Sequence, residues 1–203
     1  MHVKDCIFEN NTARMSGGAV SIQHRRIVGG GGRGGEGAEK GTSKGREREE
    51  EDAEEREEVQ EVRFEGCRFV NNSAANGGGV ANLDDNGGRV ILDRCCWHNN
   101  TAINGGAIYV AGGHVQMLAS ECRSNAARRV GGAGFVSSGR LSISRALIQG
   151  NRAEAYDGGI HVDSALGTLD IADTVLHDNA SPPHPIIARQ LSEHLPRPLQ
   201  TVY

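Results

Sequence analysis

A chain of 203 residues with 29 glycines but only 4 Phe, 3 Tyr and 1 Trp does not fill its core with large side chains; glycine at about twice its usual share of roughly 7% points to a backbone of many tight corners. No apolar run approaches the roughly 18 residues of a membrane helix, and Met1-His2-Val3-Lys4-Asp5-Cys6 has neither the basic nor the apolar part of a secretory signal. The formal charge of −4 is concentrated in residues 29–61, which carry 12 acidic and 6 basic side chains, and the scattered, near-neutral remainder gives no electrostatic reason to expect nucleic acid as a partner.

In chain order, the first unit places Met1 and Val3 on one side of a strand, then Cys6-Ile7-Phe8-Glu9-Asn10-Asn11-Thr12-Ala13, then a glycine corner and a second strand, Gly17-Gly18-Ala19-Val20-Ser21-Ile22. After it comes an insertion over 24–61, a glycine run followed by Glu/Arg-rich sequence that cannot bury a core. It reads either as a flexible loop or as translated non-coding sequence. The unit then returns as Val62, Phe64, Cys67 to Ala74 and Gly77-Gly78-Gly79-Val80-Ala81-Asn82. A third copy runs through Val90, Leu92, Cys95 to Ala102 and Gly105-Gly106-Ala107-Ile108-Tyr109-Val110. Weaker copies follow at 120–127, 146–153 and 174–181.

The sixth position of the unit is Asn in all six copies (Asn11, Asn72, Asn100, Asn125, Asn151, Asn179), at separations of 61, 28, 25, 26 and 28. The middle glycine of the corner, Gly18, Gly78, Gly106, Gly132 and Gly158, also recurs in every copy that has a corner. Apolar residues alternate at period two, the strand signature. A period of about 26 residues with short strands and no helical pattern suits neither a hairpin nor a βαβ unit. These features predict an all-β right-handed parallel β-helix of five to six coils over residues 1–181, one repeat per coil. Each column of the alignment then becomes a stack spaced by about 4.8 Å. The Asn column is expected at a bend, amide bonded to amide. The middle-glycine column marks either a left-handed corner or a close backbone approach. All five prolines lie in residues 182–203, a tail read either as a capping helix bearing Ile186, Ile187, Leu191 and Leu195 or as disordered.

The alternation of Phe8-Glu9-Asn10-Asn11 and Phe69-Val70-Asn71-Asn72 with Gly17-Gly18-Ala19-Val20 and Gly105-Gly106-Ala107-Ile108 resembles the repeat of the chlamydial polymorphic outer membrane proteins and their relatives, within the wider pectin-lyase-like superfamily. Copies four to six depart from the pattern, with Cys122, Ile148 and Leu176 in the Phe position. The resemblance implies an extracellular, cell-surface or outer-membrane location and, for some members, adhesion. The superfamily adds polysaccharide lyases, hydrolases and epimerases. Because Met1 already occupies an apolar column, the chain reads as a fragment of a longer repeat protein.

Six sets of residues are weighed as sites. Tyr109, Phe135 and His161, with Ser21 and Ala81, share an outward column, a flat stripe suited to sugar rings or a protein partner; the alternative is packing among themselves or cover by the C-terminal tail. Cys67 and Cys95, on adjacent coils, fall within disulfide range in an oxidising compartment, against the alternative of a ladder of small buried thiols with Cys6. Asn10, Asn71 and Asn99 begin glycosylation sequons. Asp84-Asp85 sits in a turn explained by turn chemistry, and Asp157, Asp163, Asp170 and Asp173 do not converge. Asp93 and Arg94 with Arg145 come nearest to a catalytic grouping. No cysteine or histidine spacing suggests a metal, and no cofactor is expected. The reading is a non-enzymatic module that binds extracellular carbohydrate or a surface protein, with a polysaccharide-active enzyme as the alternative.

Overall fold

The computed structural model describes residues 1–23, 61–83, 88–163 and 165–182. The expectations for the insertion, apart from Glu61, and for the tail, apart from Pro182, lie outside these residues, as does the Asp84-Asp85 turn. The described residues all belong to the unit Met1–Arg25 with Val59–Tyr203. They contain strands and no helix, and every strand pairing is parallel.

Each coil passes over four faces. The first face carries His2–Lys4, Glu61–Glu65, Arg89–Asp93, the later halves of Ile108–Leu118 and Gly134–Ser144, and Gly167–Ala172. The second is a six-stranded sheet of Ile7–Glu9, Arg68–Val70, Cys96–His98, Glu121–Arg123, Leu147–Gln149 and Val175–His177. The third holds Ser73–Asn76, Thr101–Asn104, Ala126–Val130 and Arg152–Ala153. The fourth, after the glycine corner, has Val20–Ile22, Val80–Asn82, the early halves of the two long strands, and Ile160–Val162. The long strands Ile108–Leu118 and Gly134–Ser144 run from the fourth face into the first, fusing them into one nine-stranded sheet. The chain is thus a parallel β-solenoid in which each repeat makes one coil.

Two of the corners turn through a left-handed residue on every coil. Between the first and second faces these are Asp5, Gly66, Arg94, Ala119, Arg145 and Asp173; between the second and third they are Asn10, Asn71, Asn99, Ser124, Gly150 and Asp178. The third corner uses Gly17, Gly77, Gly105, Gly131 and Asp157. The recurring middle glycine is the residue after each of these, and it lacks positive φ. Close approach is what requires it. A Cβ on Gly18 would stand 2.1 Å from the Gly78 carbonyl oxygen, and one on Gly106 would stand 2.2 Å from that of Gly132. Adjacent coils touch backbone to backbone there.

The bore is filled by the alternating apolar columns. Phe64, Leu92, Met117, Leu141 and Ile143 line it from the first face, and Phe69, Trp97, Cys122 and Ile148 from the second. Phe8, Phe69 and Trp97 form a parallel ring stack, with centroids 4.9 and 5.1 Å apart and planes within 4°. Such stacking adds about 0.5–1.5 kcal/mol per pair beyond burial.

The buried Asn column makes the second bend self-sufficient. In the four fully buried members, Asn72, Asn100, Asn125 and Asn151, the side-chain N–H2 donates one bond to the next Asn and one to a backbone carbonyl of the preceding coil. For Asn100 these run to Asn125 Oδ1 at 2.9 Å and Phe69 O at 2.8 Å. Its own Oδ1 accepts from the Asn72 backbone N–H and side-chain amide, both at 3.0 Å. The ladder runs on from Asn11, which donates only to Asn72, to Asn179, which donates to Ile148 O, so the fully buried amides keep all their partners, as low-dielectric burial demands.

Candidate binding face

The fourth face presents one outward column in register: Ser21 beside Ala81, Ala81 beside Tyr109, Tyr109 beside Phe135, and Phe135 beside His161. Ala81 is fully buried, whereas Tyr109, Phe135 and His161 are half-buried. Their rings touch in series, with centroids 5.5 Å apart for Tyr109 and Phe135 and 5.3 Å for Phe135 and His161, tilted by 52° and 42°. The rings pack on one another and still leave part of each face to solvent. The Tyr109 hydroxyl bonds Ser137 Oγ at 3.3 Å, and His161 Nδ1 lies 2.7 Å from the Asp157 carboxylate. These contacts hold the two end rings.

The same long strands carry a second group that the sequence did not reveal. His114 Nε2 lies 2.9 Å from Ser142 Oγ, which donates to Asp170 Oδ2 at 3.4 Å. Arg140 Nε lies 3.3 Å from Asp170 Oδ2, and Arg89 donates to the Gln116 side-chain oxygen. Burial, then Arg89 and Arg140, hold the His114 imidazole below its ordinary pKa, so it is neutral near pH 7. The sole sequence clue was the even spacing of positions 114, 142 and 170. Dissimilar residues at one outward register leave no identity to notice.

The other candidates are placed as follows. Cys67 and Cys95 are free thiols buried in the bore. Cys67 Sγ lies 3.6 Å from Val3 O and 3.4 Å from Glu65 O, and Cys95 Sγ 3.5 Å from Phe64 O and 3.4 Å from Asp93 O, so each single S–H has a backbone carbonyl to donate to. Ser120 continues the column with bonds to Leu92 O and Leu118 O. Asn10, Asn71 and Asn99 are exposed corner residues, one per coil, on a single edge. Asp93 is tied to Arg63 at 2.8 Å and to Arg94 at 3.6 Å, and Glu65 to Arg94 at 2.5 Å and Lys4 at 3.5 Å. Although burial works against it, the Lys4 and Arg94 charges hold the Glu65 carboxyl below its usual range. These carboxylates are ion-paired, which leaves neither poised as a general base. Asp163 caps the turn before Gly167. Among the described residues no group of His, Cys, Asp or Glu could hold a metal ion, and no helix is long and apolar enough to cross a membrane.

Stacked parallel coils with an internal amide ladder define a β-helical repeat module. Residues 5–23, which contain both Phe8-Glu9-Asn10-Asn11 and Gly17-Gly18-Ala19-Val20, match the Chlamydia polymorphic membrane protein (Chlamydia_PMP) repeat. The matched stretch lies on the first coil, and the structure sets the later, similar copies on it in register, Phe8 on Phe69 and Phe69 on Trp97. No curated protein and no solved structure matches the chain.

Proposed function

We propose that this chain is a non-catalytic repeat module of a cell-surface or secreted protein, binding a carbohydrate or protein partner along the outer side of its fourth face. The membrane-protein repeat on the first coil supports the surface location. The row Tyr109, Phe135 and His161 supports the binding role: three rings in contact, anchored at both ends and half-open to solvent. A pre-positioned aromatic row loses little side-chain entropy on binding and offers apolar faces to sugar C–H groups or to a partner's apolar residues.

An enzyme acting on polysaccharide is the alternative, favoured by the His114, Ser142 and Asp170 line. In that line the serine stands between the other two, and Asp170 is ion-paired to Arg140. The histidine thus lacks the carboxylate that would orient it as a base.

A glycan array and a polysaccharide-cleavage assay on the full chain test both readings. Ligand capture lost in Tyr109→Ala/Phe135→Ala, without product formation, is the expected result. Depolymerisation abolished by Ser142→Ala would replace it with the enzyme.

A further inference from the structure

The third face departs from its regular repeat at one place. Ala102 pairs with Ala127 and Asn104 with Val130, so one residue, Ile103, stands opposite two, Arg128 and Arg129. This is a β-bulge. In a regular strand successive side chains point to opposite sides, but the bulge leaves Arg128 and Arg129 both exposed between buried Ala127 and Val130. On the next coil Arg152, also exposed, pairs with Ala126 two residues before Arg128.

On the first and second faces several arginines are matched by carboxylates: Arg63 and Arg94 by Asp93 and Glu65, Arg123 by Glu121, Arg140 by Asp170. Among the described residues Arg128, Arg129 and Arg152 make no ion pair or side-chain hydrogen bond, and Glu154, the acid nearest in sequence, pairs with none of them. Bulges that re-aim side chains occur preferentially beside functional sites.

We infer that Arg128, Arg129 and Arg152 form an anion-recognition patch for a sulfated polysaccharide. The planar, weakly hydrated guanidinium fork suits bidentate contact with sulfate oxygens. The choice of a saccharide over other polyanions rests on the binding-module reading above, which this deepens by naming the ligand's charge. Arg129 stands six residues before Phe135, across the Gly131-Gly132 corner, so the patch and the aromatic row lie on adjoining faces.

The test measures affinity of the full chain for dextran sulfate, uncharged dextran and double-stranded DNA, over a range of salt. The variants are Arg128→Gln/Arg129→Gln, Arg152→Gln and Tyr109→Ala/Phe135→Ala, each checked by thermal melting. The inference predicts binding to dextran sulfate alone, weakening with salt, and a loss of about tenfold or more in the double arginine variant with an unchanged melting temperature. Equal binding of charged and uncharged dextran overturns the arginine patch and leaves the aromatic reading standing. Sulfate-dependent binding that is untouched in Tyr109→Ala/Phe135→Ala but lost in the arginine variant keeps the patch and removes the aromatic row. Preference for DNA, or dextran sulfate binding indifferent to the arginines, overturns the inference.

Discussion

The Cδ1 of Trp97 lies 2.5 Å from the point where a Cβ would stand on Gly79. Three of the other coils place alanine at that position, Ala19, Ala107 and Ala133, but the widest ring in the bore leaves no room for a methyl group. A close-packed interior charges for such an excess. Gly79→Ala is therefore expected to destabilise the chain by about 1–3 kcal/mol, and Trp97→Phe in that background to recover part of the loss. Urea denaturation of the two single variants and the double variant measures the coupling. Simple additivity would show that the contact does not govern the choice of glycine.

The amide ladder makes a graded prediction. Asn100→Ala strands Phe69 O and both Asn72 donors inside a fully buried bend, a loss of roughly 3 kcal/mol or more. Asn11→Ala removes an exposed terminal member that only donates to Asn72, and should cost about 1 kcal/mol or less. Equal losses from chemical denaturation would contradict the ladder as the source of the difference.

One glycine is predicted to be replaceable with gain. Gly134 stands where other coils have Val20, Val80, Ile108 and Ile160, its φ is not positive, and the nearest atoms to an added Cβ lie 3.8 Å away. Gly134→Ala is expected to stabilise by about 0.4–1 kcal/mol through the lower entropy of the unfolded chain. Gly106→Ala, with the Gly132 carbonyl 2.2 Å from its Cβ, should prevent or severely weaken folding. A lower melting temperature for Gly134→Ala would refute the first expectation.

The thiols predict a dependence on pH. Burial pushes Cys95 from its ordinary 9.0 up to about 12, and it pushes Cys122 higher as well. The folded chain keeps these protons where the unfolded chain releases them. Their contribution is thus complete below pH 9 and is lost as pH rises toward 12. Cys95→Ser, which copies Ser120 in the same column, should flatten part of that decline. On the native chain, iodoacetamide at pH 8 should modify half-buried Cys6 and Cys96 and spare Cys67, Cys95 and Cys122. Rapid native labelling of Cys95 would place it outside the bore.

Much of this architecture was legible because one repeat makes one coil, so a column in the alignment is a stack in space. Tyr109, Phe135 and His161 could be set side by side from sequence for that reason. The amide ladder was legible because its chemistry demands the same residue on every coil. Outward positions carry no such demand, and His114, Ser142 and Asp170 therefore aligned without resembling one another. The Arg128 bulge was hidden because an extra residue in one coil looks like any other variation in spacing. The role of the middle glycine needed the backbone of the adjacent coil, which the sequence leaves unstated.

The most direct test of the binding face is equilibrium titration of the best array ligand into the native chain, Tyr109→Ala/Phe135→Ala and, as a control on the same column, Ser21→Ala. The account predicts about tenfold or greater weakening in the aromatic variant, as expected when central interface aromatics are truncated. Ser21→Ala should bind normally, with strand content unchanged in both variants. Undiminished affinity in a folded aromatic variant would contradict it.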